Sequence, residues 1–110
     1  MTRESRANSP SDVDAWKARI APIDERAFEL AIERWQTGAP LESSMRAEAE
    51  RAQKELREIA RELRASRRAI YDRLSDTISE ALLDLKYALT APPGVSLRLN
   101  QYMDTNQRKG

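Results

Sequence analysis

Seven side chains between residues 54 and 71 have the types and the spacing needed to bind a negatively charged partner. Six are cations and the last is a tyrosine. Most of them recur every three or four residues, which places them on one face of a helix, beside its apolar stripe. Because an arginine guanidinium can form two hydrogen bonds to phosphate or carboxylate oxygens, this face suits a nucleic-acid backbone or an acidic protein surface. The candidate binding residues are Lys54, Arg57, Arg61, Arg64, Arg67, Arg68 and Tyr71.

Glutamates close to these cations support a different interpretation, a solvated helix face without a partner. Glu50, Glu55, Glu58 and Glu62 lie within three or four residues of the cations. Ion pairs at that spacing would neutralise the face and stabilise the helix by about 0.3 kcal/mol each. The net charge of the chain, +1, is also small for a protein dedicated to nucleic-acid binding.

The composition gives little support to catalysis or to metal and cofactor binding. The chain has no cysteine and no histidine, so the usual zinc ligands and the usual general base are missing. Its three glycines are not clustered, which excludes a glycine-rich phosphate loop. The carboxylate pairs at positions 12 and 14 and at positions 72 and 76 are better explained as helix caps and surface residues. We therefore expect no catalytic residue, no metal, no cofactor and no enzymatic activity.

Composition and pattern together predict an all-α protein. Charged residues make up 34% of the chain and aromatic residues 5%, which is typical of exposed helices that bury narrow apolar stripes. Residues 41–91 contain neither proline nor glycine, so they predict a long central helical segment. Helices with so little apolar mass gain from association. We therefore expect a helical hairpin or a small helical bundle that forms a homo-oligomer or binds a protein partner.

Apolar residues in the central segment follow the seven-residue repeat of a coiled coil as far as Leu63. Ser66 then interrupts the stripe, and beyond Ile70 the repeat loses phase. The segment is therefore either one continuous rod or two helices that separate near Ser66 and pack antiparallel. The apolar positions are Met45, Ala49, Ala52, Leu56, Ile59, Leu63, Ile70, Leu74, Ile78, Leu82, Leu85 and Leu89.

A first helix is predicted before this segment. A serine and an aspartate at positions 11–12 can cap its start, Pro22 either kinks it or divides it, and the Thr-Gly-Ala-Pro sequence at 37–40 ends it. We expect Trp16 and Trp35 to anchor this helix on the central segment, since large aromatic side chains dominate contacts between helices.

The predicted domain organisation is one helical domain with a tail at each end. Residues 1–10 are expected to be a disordered N-terminal tail, residues 11–91 the helical domain and residues 92–110 a flexible C-terminal tail. Apolar and polar residues alternate over 95–99, which also fits a short strand added to the sheet of a partner.

The middle of the central segment resembles the helix-turn-helix domains that bind DNA. The resemblance covers residues 57–77 and is carried by the string IARELRASRRAIYDRL, from Ile59 to Leu74. The family pattern is an Ile-Ala pair, a leucine, a turn, a capping serine and apolar residues four and eight positions later. The resemblance implies a left-handed turn residue at Arg64 and a second helix capped by Ser66. The residues that it places against DNA are Arg67, Arg68, Tyr71 and Asp72.

No stretch of the sequence has the apolar character of a signal peptide or of a membrane span. We therefore expect a cytoplasmic protein without membrane contact. The leading functional hypothesis is a non-enzymatic helical interaction protein, a structural or regulatory adaptor that acts through coiled-coil-like self-association and its basic helical face. The first alternative is a helix-turn-helix transcriptional regulator or accessory DNA-binding protein. The second alternative is a non-catalytic small subunit of a larger complex.

Overall fold

Four helices make up the part of the protein that the computed structural model describes, residues 10–107. No strand occurs within that range. The prediction of an all-α fold is confirmed. The predicted disordered tail over residues 1–10 lies outside the described residues except for Pro10. The helices are α1 (Pro10–Thr37), α2 (Ser43–Ser66), α3 (Arg68–Thr90) and α4 (Leu97–Gln107).

Helix α1 is one continuous element of 28 residues that contains Pro22. Its described part starts at Pro10 and includes residues 11–12, whose role as caps stays a prediction. Pro22 is exposed. The buried residues Ile20 and Ala27 hold α1 on the core on both sides of it.

Left-handed residues end α1 and α3. Gly38 has φ +67° and donates its N–H to the Arg34 carbonyl at 3.1 Å, which confirms the helix end predicted at 37–40. Ala91 has φ 46° and donates its N–H to the Tyr87 carbonyl at 2.7 Å. Glycine adopts this conformation freely, whereas a Cβ atom makes it unfavourable by about 1 kcal/mol. Ala91 is therefore a strained helix end.

The central segment consists of two helices that separate at a single residue, Arg67. Its φ of −142° and ψ of 64° are not helical, yet its N–H still donates to the Leu63 carbonyl at 2.7 Å. Its carbonyl accepts the N–H of Ile70 at 3.0 Å. Leu63 and Ile70 are both fully buried. The chain thus turns between two buried side chains while the backbone hydrogen bonds continue on both sides of the turn.

This corner differs from the helix-turn-helix that the sequence resembles. Arg64 lies inside α2 rather than in a left-handed turn, and Ala91 is the only left-handed non-glycine residue between positions 10 and 107. Ser66 is the last residue of α2, and Arg67 takes the N-cap position of α3 without a side-chain hydrogen bond. The turn implied at Arg64 and the cap implied at Ser66 are therefore wrong, because a break of one residue needs neither.

Helix α3 packs extensively against both α1 and α2, so it forms the centre of the molecule. All the predicted seam residues between positions 45 and 89 either belong to the buried cluster or pack against it. Helix α1 adds Val13, Ile20, Ala27 and Leu30 to the same cluster. Most of the seam therefore faces other helices of its own chain, and only the half-buried Met45, Ala52, Leu82 and Leu89 leave part of it accessible.

A fourth helix lies within the predicted C-terminal tail. Residues 92–110 were expected to be flexible, and this expectation is corrected for Leu97–Gln107, which form α4. The alternation over 95–99 does not form a strand. Leu99 is fully buried, and the half-buried side chains that follow it recur at helical spacing. Those half-buried side chains are Tyr102, Met103 and Asn106.

Aromatic rings attach α4 to α1. The Tyr102 ring meets the rings of Phe28 and Trp35 edge to face, with centroids 6.0 and 5.8 Å apart. Trp35 thus contacts α4, a partner that the sequence did not predict, and its contact with the central segment stays a prediction. Trp16 packs against the buried cluster, in agreement with its predicted role as an anchor.

The strained end of α3 leads to a stability prediction. Ala91→Gly should raise the free energy of unfolding by about 0.5 kcal/mol, because relief of the left-handed conformation exceeds the entropy that glycine adds to the unfolded chain. Gly38→Ala should lower it by about 1 kcal/mol through the backbone alone, since no atom lies within 4 Å of the added Cβ. Urea unfolding measures both values. Ala65→Gly, at an exposed helical site, serves as the control and should be destabilising. A stabilising effect of this control, or a destabilising effect of Ala91→Gly, would contradict the prediction.

Candidate functional site

The candidate cations follow the outer surface of α2 and continue over the corner onto α3. All six have exposed side chains, whereas Tyr71 is half buried and packs against the core. We call this surface the basic face. In chain order, its cations are Lys54, Arg57, Arg61, Arg64, Arg67 and Arg68.

Two cations of the basic face have partners within the chain. The Arg64 guanidinium lies over the Tyr71 ring, 5.3 Å from its centroid, and donates a long hydrogen bond of 3.4 Å to the hydroxyl. Arg68 forms an ion pair with Asp72 at 3.5 Å, and the two side chains remain 69% and 65% exposed. Such exposed pairs contribute about 0.5 kcal/mol or less. Tyr71 therefore serves to join α2 to α3, with its ring covered by Arg64.

The other four cations of the basic face form no ion pair with any carboxylate in the described part of the chain. The glutamates at positions 50, 55, 58 and 62 form none there either. Glu55 and Glu58 line a shallow depression on the α1 side of α2, together with Arg19 and Lys54. Lys54 thus lies beside carboxylates in this depression.

An open groove of about 410 Å³ runs between α2 and α3 on that other side. Gln53 and Arg57 line it from α2, and Leu83 and Lys86 line it from α3. Leu83 is 44% exposed, and the other large exposed apolar side chain of the described residues is Leu97. The basic face therefore borders a groove that has an apolar centre and a cation on each wall.

A second polar cluster, which the sequence analysis did not select, joins α1, α3 and α4. Asp84 of α3 is fully buried. The Ser96 hydroxyl donates to its Oδ1 at 2.5 Å, and an Arg98 nitrogen lies 2.6 Å from its Oδ2. Arg98 also reaches Asp24 of α1 at 2.8 Å, and its backbone N–H donates to Glu80 of α3 at 3.2 Å. One guanidinium in α4 thus holds carboxylates from two other helices.

The Asp84 carboxyl is the most strongly desolvated acid of this cluster. Burial raises its pKa above the ordinary value, while the hydrogen bonds from Ser96 and Arg98 oppose that rise. Its buried position could have been inferred from the sequence, because Asp84 lies three residues after Ala81 and four before Ala88, on the apolar side of α3. The cluster joins α4 to α1 and α3.

Comparisons with known proteins give no functional role to these surfaces. No protein-family model matches the chain, and the searches of curated proteins and of solved structures found no match. Residues 10–107 contain no group of three or more acidic, histidine or cysteine side chains that could hold a metal ion. Within the same range, none of the helices is both long enough and apolar enough to cross a membrane.

Removal of the Arg98 guanidinium should destabilise the protein strongly. Arg98→Ala leaves the buried Asp84 carboxylate without its cation, so we expect the free energy of unfolding to fall by about 3 kcal/mol. Arg73→Ala, at an exposed site, is the matched control and should change it by about 0.5 kcal/mol or less. Urea unfolding with both variants measures the difference, and equal losses would show that the cluster does not fix α4.

The raised pKa of Asp84 predicts a pH dependence of stability. The folded state holds the proton of this carboxyl to a higher pH than the unfolded state does. Its contribution to the free energy of unfolding is therefore greatest below its unfolded pKa, about 4, and falls as the pH rises through its folded pKa. Asp84→Asn removes this titration and leaves the other carboxyls in place. The stability of the natural chain minus that of Asp84→Asn should decrease as the pH rises above about 4, and an increase would contradict the assigned direction.

Proposed function

We propose that the protein is a non-enzymatic helical interaction protein, a structural or regulatory adaptor that binds an acidic partner through its basic face. The observation that supports this most directly is the absence of ion pairs at Arg57, Arg61 and Arg67 within residues 10–107. A cation that is already paired must give up its own carboxylate to bind another. These three exchange only water for a partner's carboxylate.

The arrangement of the cations favours association by electrostatic attraction. Arg57, Arg61 and Arg64 follow one another at spacings of four and three on α2, so their charges add along one side of the helix. Exposed charges of this kind raise the rate of encounter more than they raise affinity, and salt screens them over about 10 Å at 0.1 M. We therefore expect an interaction that weakens markedly with ionic strength.

Self-association through the heptad seam is not part of this proposal. Most seam residues are covered by helices of the same chain, so the proposal assigns no homo-oligomer to the seam. A non-catalytic subunit of a larger complex would use the basic face in the way proposed here.

Duplex DNA is the second candidate partner, favoured by the two adjacent exposed arginines Arg67 and Arg68 at the corner. Phosphate contacts from such a corner would be independent of sequence. We do not propose that this corner reads specific bases as a helix-turn-helix domain does. Tyr71 is covered by Arg64, and Arg68 is paired with Asp72.

Charge reversal on α2 tests the proposal with labelled poly-L-glutamate as the acidic probe. Arg57→Glu/Arg61→Glu should weaken binding by about tenfold or more, a loss of about 1.4 kcal/mol. The control Arg51→Glu/Arg73→Glu makes the same change of charge at exposed sites outside the basic face, and it should retain most of the affinity. Fluorescence anisotropy at about 50 mM and about 200 mM salt measures both, together with the expected salt dependence.

A mixed-sequence DNA duplex provides the comparison. The protein could bind the duplex, lose this binding on Arg67→Glu/Arg68→Glu, and not bind poly-L-glutamate. That result would overturn the acidic partner and establish DNA as the partner of the basic face. An equal loss of poly-L-glutamate binding in the control variant would show that only net charge matters, and the basic face would then have no specific role.

A further inference from the structure

The groove between α2 and α3 has the shape and the chemistry of a docking site for another helix. Leu82 is half buried and packs against the core, and the more exposed Leu83 lies beside it in the groove. Arg57 on one wall and Lys86 on the other form no ion pair in the described part of the chain. An apolar centre between two cationic walls is complementary to an apolar stripe flanked by carboxylates.

The groove is lined over residues 53–57 of α2 and 79–86 of α3, about two turns of helix at most. Both helices continue beyond this stretch, with 24 residues in α2 and 23 in α3, so each offers a further helix about 35 Å of backbone to lie along. On the core side, α1 packs against both helices. A further helix in the open groove would complete a four-helix arrangement, in which each helix covers an apolar stripe of its neighbours.

We propose that the α2–α3 groove binds an acidic amphipathic helix of a partner protein. Apolar side chains of that helix pack on Leu82 and Leu83, and carboxylates on its two edges pair with Arg57 and Lys86. The inference rests on the proposed function, because it specifies the acidic partner of the basic face.

Two other occupants fit the groove less well. The phosphates of a nucleic acid would use the cations but leave Leu83 without an apolar contact. A second copy of this chain, docked groove to groove about a two-fold axis, would bring the cations of one groove close to those of the other, and like charges oppose that contact. Only a partner that carries both carboxylates and apolar side chains satisfies the whole groove.

The test uses the full chain and a synthetic peptide of about three heptads, with leucine at the apolar positions and glutamate on both flanks. The flanking glutamates repel one another, which keeps the free peptide from pairing with itself. We expect the peptide to bind and to gain helicity, as measured by fluorescence anisotropy and circular dichroism. A scrambled peptide of the same composition should bind at least about tenfold more weakly, because it has the same charge but no apolar stripe.

Variants of the two exposed leucines separate apolar docking from charge. Leu83→Glu should weaken peptide binding by about tenfold or more, since burial of a leucine is lost and a carboxylate faces the glutamates. Leu97→Glu makes the identical change at the more exposed leucine outside the groove, and it should leave the affinity within about twofold.

Exchange of charges across the interface tests whether Arg57 and Lys86 on the two walls pair with carboxylates of the bound helix. The variant Arg57→Glu/Lys86→Glu should bind the acidic peptide at least about tenfold more weakly. It should bind a peptide in which lysine replaces every flanking glutamate, because the charges are then complementary again. Circular dichroism of the variant alone shows whether the fold is retained. Rescue by the lysine peptide would itself demonstrate an intact groove.

The outcomes distinguish this inference from the proposed function. Binding of poly-L-glutamate that depends on the basic face, with equal affinity for the ordered and the scrambled peptides, would overturn the groove as a helix site and leave the proposed function in place. Equal effects of Leu83→Glu and Leu97→Glu would overturn it as well. Failure of both poly-L-glutamate and the peptide to bind would overturn both proposals. Displacement of the peptide by duplex DNA, with no effect of Leu83→Glu, would assign the cations to a nucleic acid.

Discussion

The reversal of the chain at Arg67 is the constraint on which the remaining packing depends. The apolar stripe of residues 45–89 would span about 65 Å along a continuous helix, and α1, with 28 residues, reaches only about 42 Å. Because the chain turns at one residue, the two halves of the stripe lie side by side. A single helix is then long enough to cover both of them. The short break therefore converts a rod that would need a partner into a core closed within one chain.

Closure of the core determines what remains on the outside. With the seam buried, the surface of α2 is dominated by charge, and its two sides differ. Carboxylates accompany the cations on the side toward α1, where Arg26 holds Glu48 at 2.7 Å. The hydrogen bond from Arg26 lowers the pKa of Glu48. On the side toward α3, the cations border an apolar groove and have no such partners. The proposed interaction depends on this difference between the two sides rather than on the net charge of +1.

Local patterns predicted much of the fold, and long-range contacts account for the rest. The periodic apolar positions, the all-α class and the helix ends near Gly38 and Ala91 follow from neighbouring residues alone. The polar Ser66 marked the break to within one residue. The interval from Leu63 to Ile70 is seven residues, which also fits an unbroken helix, so periodicity could not decide between one rod and two helices. Helix α4 was missed because the alternation over 95–99 resembles a strand and because its partners are distant in sequence. The exposed cations were predicted, but their lack of ion pairs depends on side-chain positions that spacing does not determine.

The contacts of α4 make its secondary structure conditional on tertiary structure. A helix of 11 residues is too short to be stable in water by itself. Its order comes from the burial of Leu99 and from Arg98, whose guanidinium donates to the Asp24 carboxylate 74 positions earlier in the chain. The folding of residues 97–107 into a helix, the docking of that helix and the desolvation of Asp84 are therefore parts of one cooperative step. The helicity of residues 97–107 measures whether the first and last helices of the described fold are in contact.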